Sequence, residues 1–230
     1  MSEVTPIIGG TGALGYGLAL RWAREGADVV IGSRSAERAI EAAGRVTDTV
    51  PGASVEGLPN DDAARRGTIV FVCVPFRAQS ETYNNLRDVF EDGQLVVDCT
   101  SPVAAAVSGR ATRSLGVWQG SAAQQAQEMV PDGVTVVSAL HSVSAPRLAD
   151  LESDLDEDVL ICGDRRADKA RVAALVERIP GLRAVNAGAL ETARIVEQLT
   201  PLLISVNVRY KTRAGIRITG LPDTLWQPPS

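Results

Sequence analysis

The stretch "IIGGTGALGYGLALRWAREGADVVIGSR", residues 7 to 34, constrains the fold more than any other part of the chain. An apolar run ends in Gly10-Thr11-Gly12-Ala13-Leu14-Gly15. A helical pattern follows, with Leu14, Leu18, Trp22 and Ala23 on one face and Gly26 as its stop. A second apolar run, "ADVVIGSR", comes next. Strand, glycine turn, helix and strand in this order make a βαβ unit, whose two strands are parallel. In this G-x-G-x-x-G, Gly10 permits the tight turn. Gly12 lets a ligand approach the backbone, and Gly15 lets helix and strand pack closely. Free N–H groups at the head of the helix then face outward, where they suit a phosphate.

The alternation continues. "ASVEGL", "TIVFVCVP", "QLVVDCTSP" and "GVTVVSALH" read as strands. Between them lie helical segments: "SAERAIEAAGRV" with Ser35 as N-cap, "NDDAARRG" capped by Asn60, about Gln79 to Phe90, and "SAAQQAQEMV". "TIVFVCVP" is apolar throughout, as a parallel strand covered on both faces must be. The expected class is α/β, a Rossmann-type doubly wound, mainly parallel sheet with a smaller C-terminal α/β part. Pro6 removes a ladder donor and is tolerable only at the first residue of its strand. After His141 the spacing predicts a solvated acidic run in "DLESDLDED" and a strand in "VLICG". A helix capped by Asp164, a strand in "LRAVNAG" and a long helix bent at Pro201 should follow, then a short strand in "AGIRI". The expected divisions are residues 1–141, 142–221 and a Pro-rich tail, 222–230.

A site for NAD commonly places Asp or Glu at the end of the second strand, to accept from the ribose 2′-hydroxyl. Here Ser33 and Arg34 stand there, with Arg38 one helical turn on. A carboxylate would repel a 2′-phosphate, whereas arginine offers a charged fork of donors and serine a hydroxyl. Thr11 can add another hydroxyl. These residues point to NADP(H). The net charge of −5 argues against a nucleic-acid partner. No run of about 18 apolar residues predicts a membrane span. The N-terminal "MSEVTPIIGG" lacks the pattern of a signal peptide. Cys73, Cys99 and Cys162 each sit in an apolar run, as buried free thiols would, which suits a reducing cytoplasm.

Pro75, Pro102 and His141 follow or end successive strands, so they belong on the carboxyl edge of the sheet, where such folds bind ligand. His141, the only histidine, is either a general acid/base or a residue that shapes the pocket. Lys169 reads as a charge on a surface helix, and Lys211 lies near the end of the last helix. No Tyr-x-x-x-Lys pair occurs. A site with NADP(H) and no evident proton carrier suits hydride transfer between two cofactors, where positioning does most of the work.

The chain resembles the NADPH-dependent oxidoreductases of the deazaflavin coenzyme F420. The resemblance lies in "GGTGALGYGLALRWAREGADVVIGSRSAERA", "VVSALHSVSAPRLADL", "DVLICGD", "GLRAVNAGALETARIVEQLTPLLISVN" and "GIRI", in that order. It implies reversible hydride transfer between NADP(H) and F420. By position it implies that Thr11, Gly12, Ala13 and Leu14 hold the pyrophosphate, and Ser33, Arg34 and Arg38 the 2′-phosphate. Val74, Pro75, Ser101 and Val103 would line the nicotinamide half. Pro102, His141, Val143 and Ala145 would surround the place where the two rings meet, and Ala214 in "AGIRI" would close over the deazaflavin. Ser144 stands where relatives often carry proline. The apolar last helix suits a homodimer and, equally well, a buried core helix. Two other readings share these residues: an NADPH-dependent reductase of flavin or of a small molecule, and a non-catalytic NADP(H)-sensing protein.

Overall fold

The apolar runs become six parallel strands with helices on both faces. The computed structural model describes residues 4–222 and 225–226. The first half contains β1 (Thr5–Ile8), α1 (Ala13–Arg24), β2 (Val29–Ser33), α2 (Ala36–Thr49) and β3 (Val55–Pro59). It continues with α3 (Asn60–Ala64), β4 (Ile69–Val72), α4 (Phe76–Leu86) and β5 (Leu95–Asp98). Then come α5 (Ala122–Met129), β6 (Thr135–Ser138), α6 (Ala145–Ala149), β7 (Glu157–Ile161) and α7 (Arg166–Val176). The chain goes on through β8 (Leu182–Asn186), α8 (Ala193–Val196) and α9 (Leu199–Tyr210). The strand order is β3-β2-β1-β4-β5-β6, all parallel. The order reverses between β1 and β4, which opens a crevice outside their carboxyl ends.

β7 and β8 form a separate parallel pair, joined to β6 by one antiparallel bridge, Ser138 to Cys162. They do not make a separate core. Val159, Ile161 and Ala184 join the cluster containing Trp22 and Phe71, and Leu160, Cys162 and Val185 join the cluster on the other side. Arg21 fixes this junction. Almost fully buried on α1, it donates to the carbonyls of Leu148, Arg147, Asp150 and Ser153, at 2.6–3.0 Å. It thereby satisfies the orphan carbonyls at the end of α6 and in the loop that follows it. Trp22 packs on Phe71 with ring centroids 4.6 Å apart, and its indole donates to the Leu175 carbonyl at 2.8 Å.

Several sequence expectations need correction. Pro6 is the second residue of β1, not the first. It is tolerated because pairing with β4 begins only at Ile7, and Gly67 leaves room for the ring. α4 starts at Phe76, on Pro75, three residues before the expected Gln79. Asn60 is not the cap of α3, which begins on Pro59. Asp164 does not cap α7; its carboxylate accepts from the Leu190 N–H at 2.9 Å. The long helix breaks at Glu197 and Gln198 rather than at Pro201 itself, because proline offers no N–H to the carbonyl four residues back.

The acidic run is not wholly solvated. Glu157 and Asp158 are buried in β7. Asp158 accepts from Arg183 at 2.8 Å, from Arg217 at 3.0 Å and from the Ile218 N–H at 2.6 Å, and these partners hold it down to about 2 despite burial. "AGIRI" is no strand; its backbone instead hangs on Asp158, whose N–H donates to the Ile216 carbonyl. Lys169 is buried, and its Nζ donates to Asn186 Oδ1 at 2.7 Å and the Gly188 carbonyl at 2.8 Å. Most of the expected tail, 222–230, lies outside the described residues.

Candidate functional site

The glycine loop is built as the spacing requires, with one addition. The left-handed residue of the turn is Gly9 (φ +74°), not Gly10, and a Cβ there would lie 2.8 Å from the Cys73 carbonyl oxygen. Gly10 is needed for close approach instead, and Gly15 for packing against it: a Cβ on Gly15 would sit 2.8 Å from Gly10 Cα. Gly12 heads α1 without a side-chain cap, so the first-turn N–H groups stay open. Gly12 and Ala13 are exposed, and Thr11 and Leu14 half-buried.

A cavity of about 450 Å³ runs from this loop. Thr11 and Gly12 line it together with Ser33, Arg34 and Arg38, and with Val74, Pro75 and Arg77 from the start of α4. Seven of the sequence-derived candidates thus converge here. Ser35 caps α2, accepting from the Arg38 N–H at 3.3 Å, which fixes where that helix presents Arg38. Arg34 lies 3.8 Å from Glu81, and both are well exposed. A neighbouring cavity of about 370 Å³ shares Ser33, Arg34, Asn60 and Thr82 with the first. Asn60 Oδ1 is buried in this wall, with no hydrogen-bond partner among the described residues. Gly9, Asn60, Arg77 and Glu81 were not among the sequence candidates. Arg77 had a signal, since it lies one residue into the helix that follows Pro75.

The other end of the crevice is closed by hydrogen bonds. Ser101, Pro102 and Val103 follow β5, and His141 and Val143 follow β6. His141 is buried, and desolvation lowers it to about 4. The proton count then fixes its tautomer. Thr200 Oγ1 donates its single proton to the His141 carbonyl at 2.8 Å. Ser101 Oγ, 2.7 Å from Thr200 Oγ1, must therefore donate to it. Ser101 can then only accept from His141 Nδ1, at 3.3 Å, which leaves Nε2 to accept from Ser138 Oγ at 2.7 Å. Both ring nitrogens are occupied. The knot joins the ends of β5 and β6 to α9, and Leu140 before it takes a left-handed φ of 70°.

A second buried network lies behind the first. Asp98 accepts from Gln79 at 2.9 Å, Tyr83 at 2.8 Å and the Thr100 N–H at 3.0 Å. Burial pushes it up to about 6 against these bonds. Glu197 accepts from the N–H groups of Ala122 and Ala123, at 2.9 and 3.1 Å, so a carboxylate from α8 caps α5. Burial drives Glu197 up to about 8. Glu197 had no sequence signal, because its partners lie 74 and 75 residues away; Asp98's partners are Gln79 and Tyr83 in α4 as well as Thr100 close by.

The remaining candidates are more scattered. Val143 is buried in the core cluster with Leu140 and Leu148. Ala145 opens α6 and packs beside Gly17 of α1. Ala214 lies on the C-terminal arm, its N–H donating to Asn207 Oδ1 at 2.7 Å, next to Gly215, which abuts Glu157.

Known proteins resemble this chain over most of its length. Residues 5–102 match the family described as NADP oxidoreductase coenzyme F420-dependent. The F420-dependent NADP reductase of Methanothermobacter thermautotrophicus is 42% identical over 221 residues, covering 94% of this chain and 95% of that protein. The protein of the same name from Methanocaldococcus jannaschii is 39% identical, covering 94% and 97%. Among solved structures, a candidate F420-dependent NADP reductase from Arthrobacter sp. FB24 superposes with a TM-score of 0.73 at 22% identity, covering 95% of this chain and all of that one. The 3-hydroxyisobutyrate dehydrogenase of Mycobacterium tuberculosis reaches 0.62 at 13% identity, covering 91% of this chain and 62% of that one. At such identities these structures speak for the fold alone.

Proposed function

The chain belongs to the coenzyme F420-dependent NADP oxidoreductases, and on that premise we propose that it transfers a hydride reversibly between NADP(H) and F420. When bound, the nicotinamide and deazaflavin rings supply donor and acceptor of the hydride. The chain's own residues fit that pair. The uncapped N–H groups after Gly12 receive the pyrophosphate, with Thr11 beside them. Ser33, Arg34 and Arg38 receive the 2′-phosphate, where no acid from β2 stands in the way. Val74, Pro75, Ser101 and Val103 line the nicotinamide end. Pro102, His141, Val143, Ala145 and Ala214 belong to the deazaflavin side, and the part from 142 to 221 closes over it.

The observation that carries this reading is the state of the reacting edge. In its three described segments, 73–75, 99–103 and 139–143, the titratable groups are two buried thiols and His141, and Asp98, which ends β5 just before the second segment, is held by Gln79, Tyr83 and Thr100. His141 is neutral at physiological pH and tied at both nitrogens, so it positions rather than transfers protons. A hydride passing between rings would need their carbons held about 3–3.5 Å apart without water between them; the one proton that completes the reduced deazaflavin would go to a ring nitrogen and come from solvent, so the edge itself needs no buried proton carrier. The test is F420 absorbance on mixing with NADPH, beside FMN and a small carbonyl compound. Rapid bleaching of F420 alone is expected, and reduction of the others with F420 untouched would sink the reading.

The protein works as a homodimer in the cytoplasm. Leu202, Val208 and Tyr210 of α9, with Ile195 nearby, are 55–71% exposed, apolar side chains of the kind a second copy would cover. Cys73, Cys99 and Cys162 are free and buried, which suits a reducing compartment. Among the described residues no helix is long and apolar enough to cross a membrane.

A further inference from the structure

We propose that Glu81 is the counter-charge that Arg34 must release when the 2′-phosphate arrives, and that it thereby sets how long NADP(H) stays bound. The proposal rests on the coenzyme reading above. Arg34 Nη1 and Glu81 Oε2 are 3.8 Å apart, with side chains 70% and 62% exposed. A pair so loose and so wet contributes little to stability. Its position is what matters. Both side chains line the cavity of about 370 Å³ that Ser33, Asn60 and Thr82 share with the glycine-loop cavity. A phosphate held by Ser33 and Arg34 would lie within a Debye length of the Glu81 carboxylate. The carboxylate therefore acts twice against the bound phosphate: it competes for the guanidinium, and it repels the phosphate directly.

Such an arrangement is useful to an enzyme whose cycle includes coenzyme release, a step that often limits turnover. Three cations near one phosphate (Arg34, Arg38 and Arg77) would otherwise hold NADP(H) for long. α4 owes its place to other residues: Gln79 and Tyr83 anchor it to Asp98. Replacing the exposed Glu81 therefore leaves the helix seated.

The experiment is a calorimetric titration with adenosine 2′,5′-bisphosphate and with 5′-AMP, which need no F420. It compares the wild type, Glu81→Gln, Arg34→Ala and the double variant at low and high salt. Glu81→Gln should tighten the bisphosphate about three- to tenfold at low salt, less at high salt, and leave 5′-AMP unchanged. In the Arg34→Ala background the gain should fall below about twofold, since the two residues act as a coupled pair. Stopped-flow release of NADP⁺ should slow by the same factor. An unchanged bisphosphate affinity, an equal gain for 5′-AMP, or a full gain without Arg34 would each overturn the proposal. If the wild type did not prefer the bisphosphate, the coenzyme reading itself would fail and this proposal with it. A preference that survives while Glu81→Gln does nothing removes Glu81 alone.

Discussion

The two ends of the crevice are built in opposite ways. At the phosphate end the side chains are exposed, long and loosely paired: Arg34 meets Glu81 at 3.8 Å in solvent. At the reacting edge they are short, buried and saturated: Ser138, His141, Ser101 and Thr200 form one chain of hydrogen bonds, with Asp98 and its three donors behind it. On the proposed function, the difference follows from the tasks. A phosphate carries its own charge and is held by whatever cations can swing to it, so the site can stay open to water. Two flat rings offer little to grip, so the walls must already be fixed before they arrive. The phosphate end should therefore govern affinity without touching stability, and the reacting edge should do the reverse.

The largest break in that contrast should come from Asp98→Ala. It leaves Tyr83 Oη, Gln79 Nε2 and the Thr100 N–H buried without their acceptor, each an unmade bond in a dry environment. The expected loss is about 3–5 kcal/mol in urea unfolding. A loss of coenzyme affinity with unchanged stability would reverse the roles assigned to the two ends.

Next in size is a pH effect at His141. The unfolded histidine takes up its proton near 6.5, the folded one only at about 4. Between those values the unfolded state holds more protons, so the His141 contribution is intact above pH 6.5 and is lost as pH falls to 4. The full loss is on the order of 3 kcal/mol. Asp98 and Glu197, shifted the other way to about 6 and about 8, gain on acidification, so the wild-type curve alone mixes these groups with His141. The difference in unfolding free energy between wild type and His141→Asn, measured at each pH, isolates His141. It should shift in favour of the variant by that amount on acidification, and a flat difference would mean the ring is not buried neutral.

Arg34→Ala tests the open end. Losing a charged hydrogen-bond partner costs roughly 1.5–3 kcal/mol, or about ten- to a hundredfold in NADP(H) affinity. NAD(H) affinity and the unfolding midpoint should hold. Equal loss for both coenzymes would show that the arginine serves the pyrophosphate instead.

Legibility in the sequence divides along the same line. Ser33, Arg34, Arg38 and the glycine loop could be read because neighbours in the chain determine them: a strand end, a turn, a cap at Ser35. Even there the turn's left-handed residue, Gly9, escaped, since the spacing pattern begins one residue later. The reacting edge was only half legible. Its segments were located by the strands that lead into them, but what fixes them was not: Thr200 reaches Ser101 across 99 residues and Glu197 reaches Ala122 across 75. Composition also misled where polarity was taken for exposure. Lys169, Glu157 and Asp158 look like surface charges, yet all are buried, because β7 and α7 pack on the main sheet rather than apart from it.

The smallest effect expected is the most telling for chemistry. In His141→Asn the amide N–H₂ of the asparagine can replace Nδ1 as donor to Ser101, so the chain through Thr200 to α9 persists. The acceptor for Ser138 is lost, which costs some alignment of the β6 end. Turnover should therefore drop about tenfold or less, with NADPH binding unchanged. A general acid/base removed from a dehydrogenase of alcohols would cost a hundredfold or more. The pH profile separates the two cases further: a proton carrier would leave a titration in kcat of the wild type that the variant lacks, whereas a ring that stays neutral down to about pH 4 leaves none near neutrality. Loss of a hundredfold, together with such a titration, would make the buried ring part of the chemistry. The two ends of the crevice would then differ in burial but not in kind.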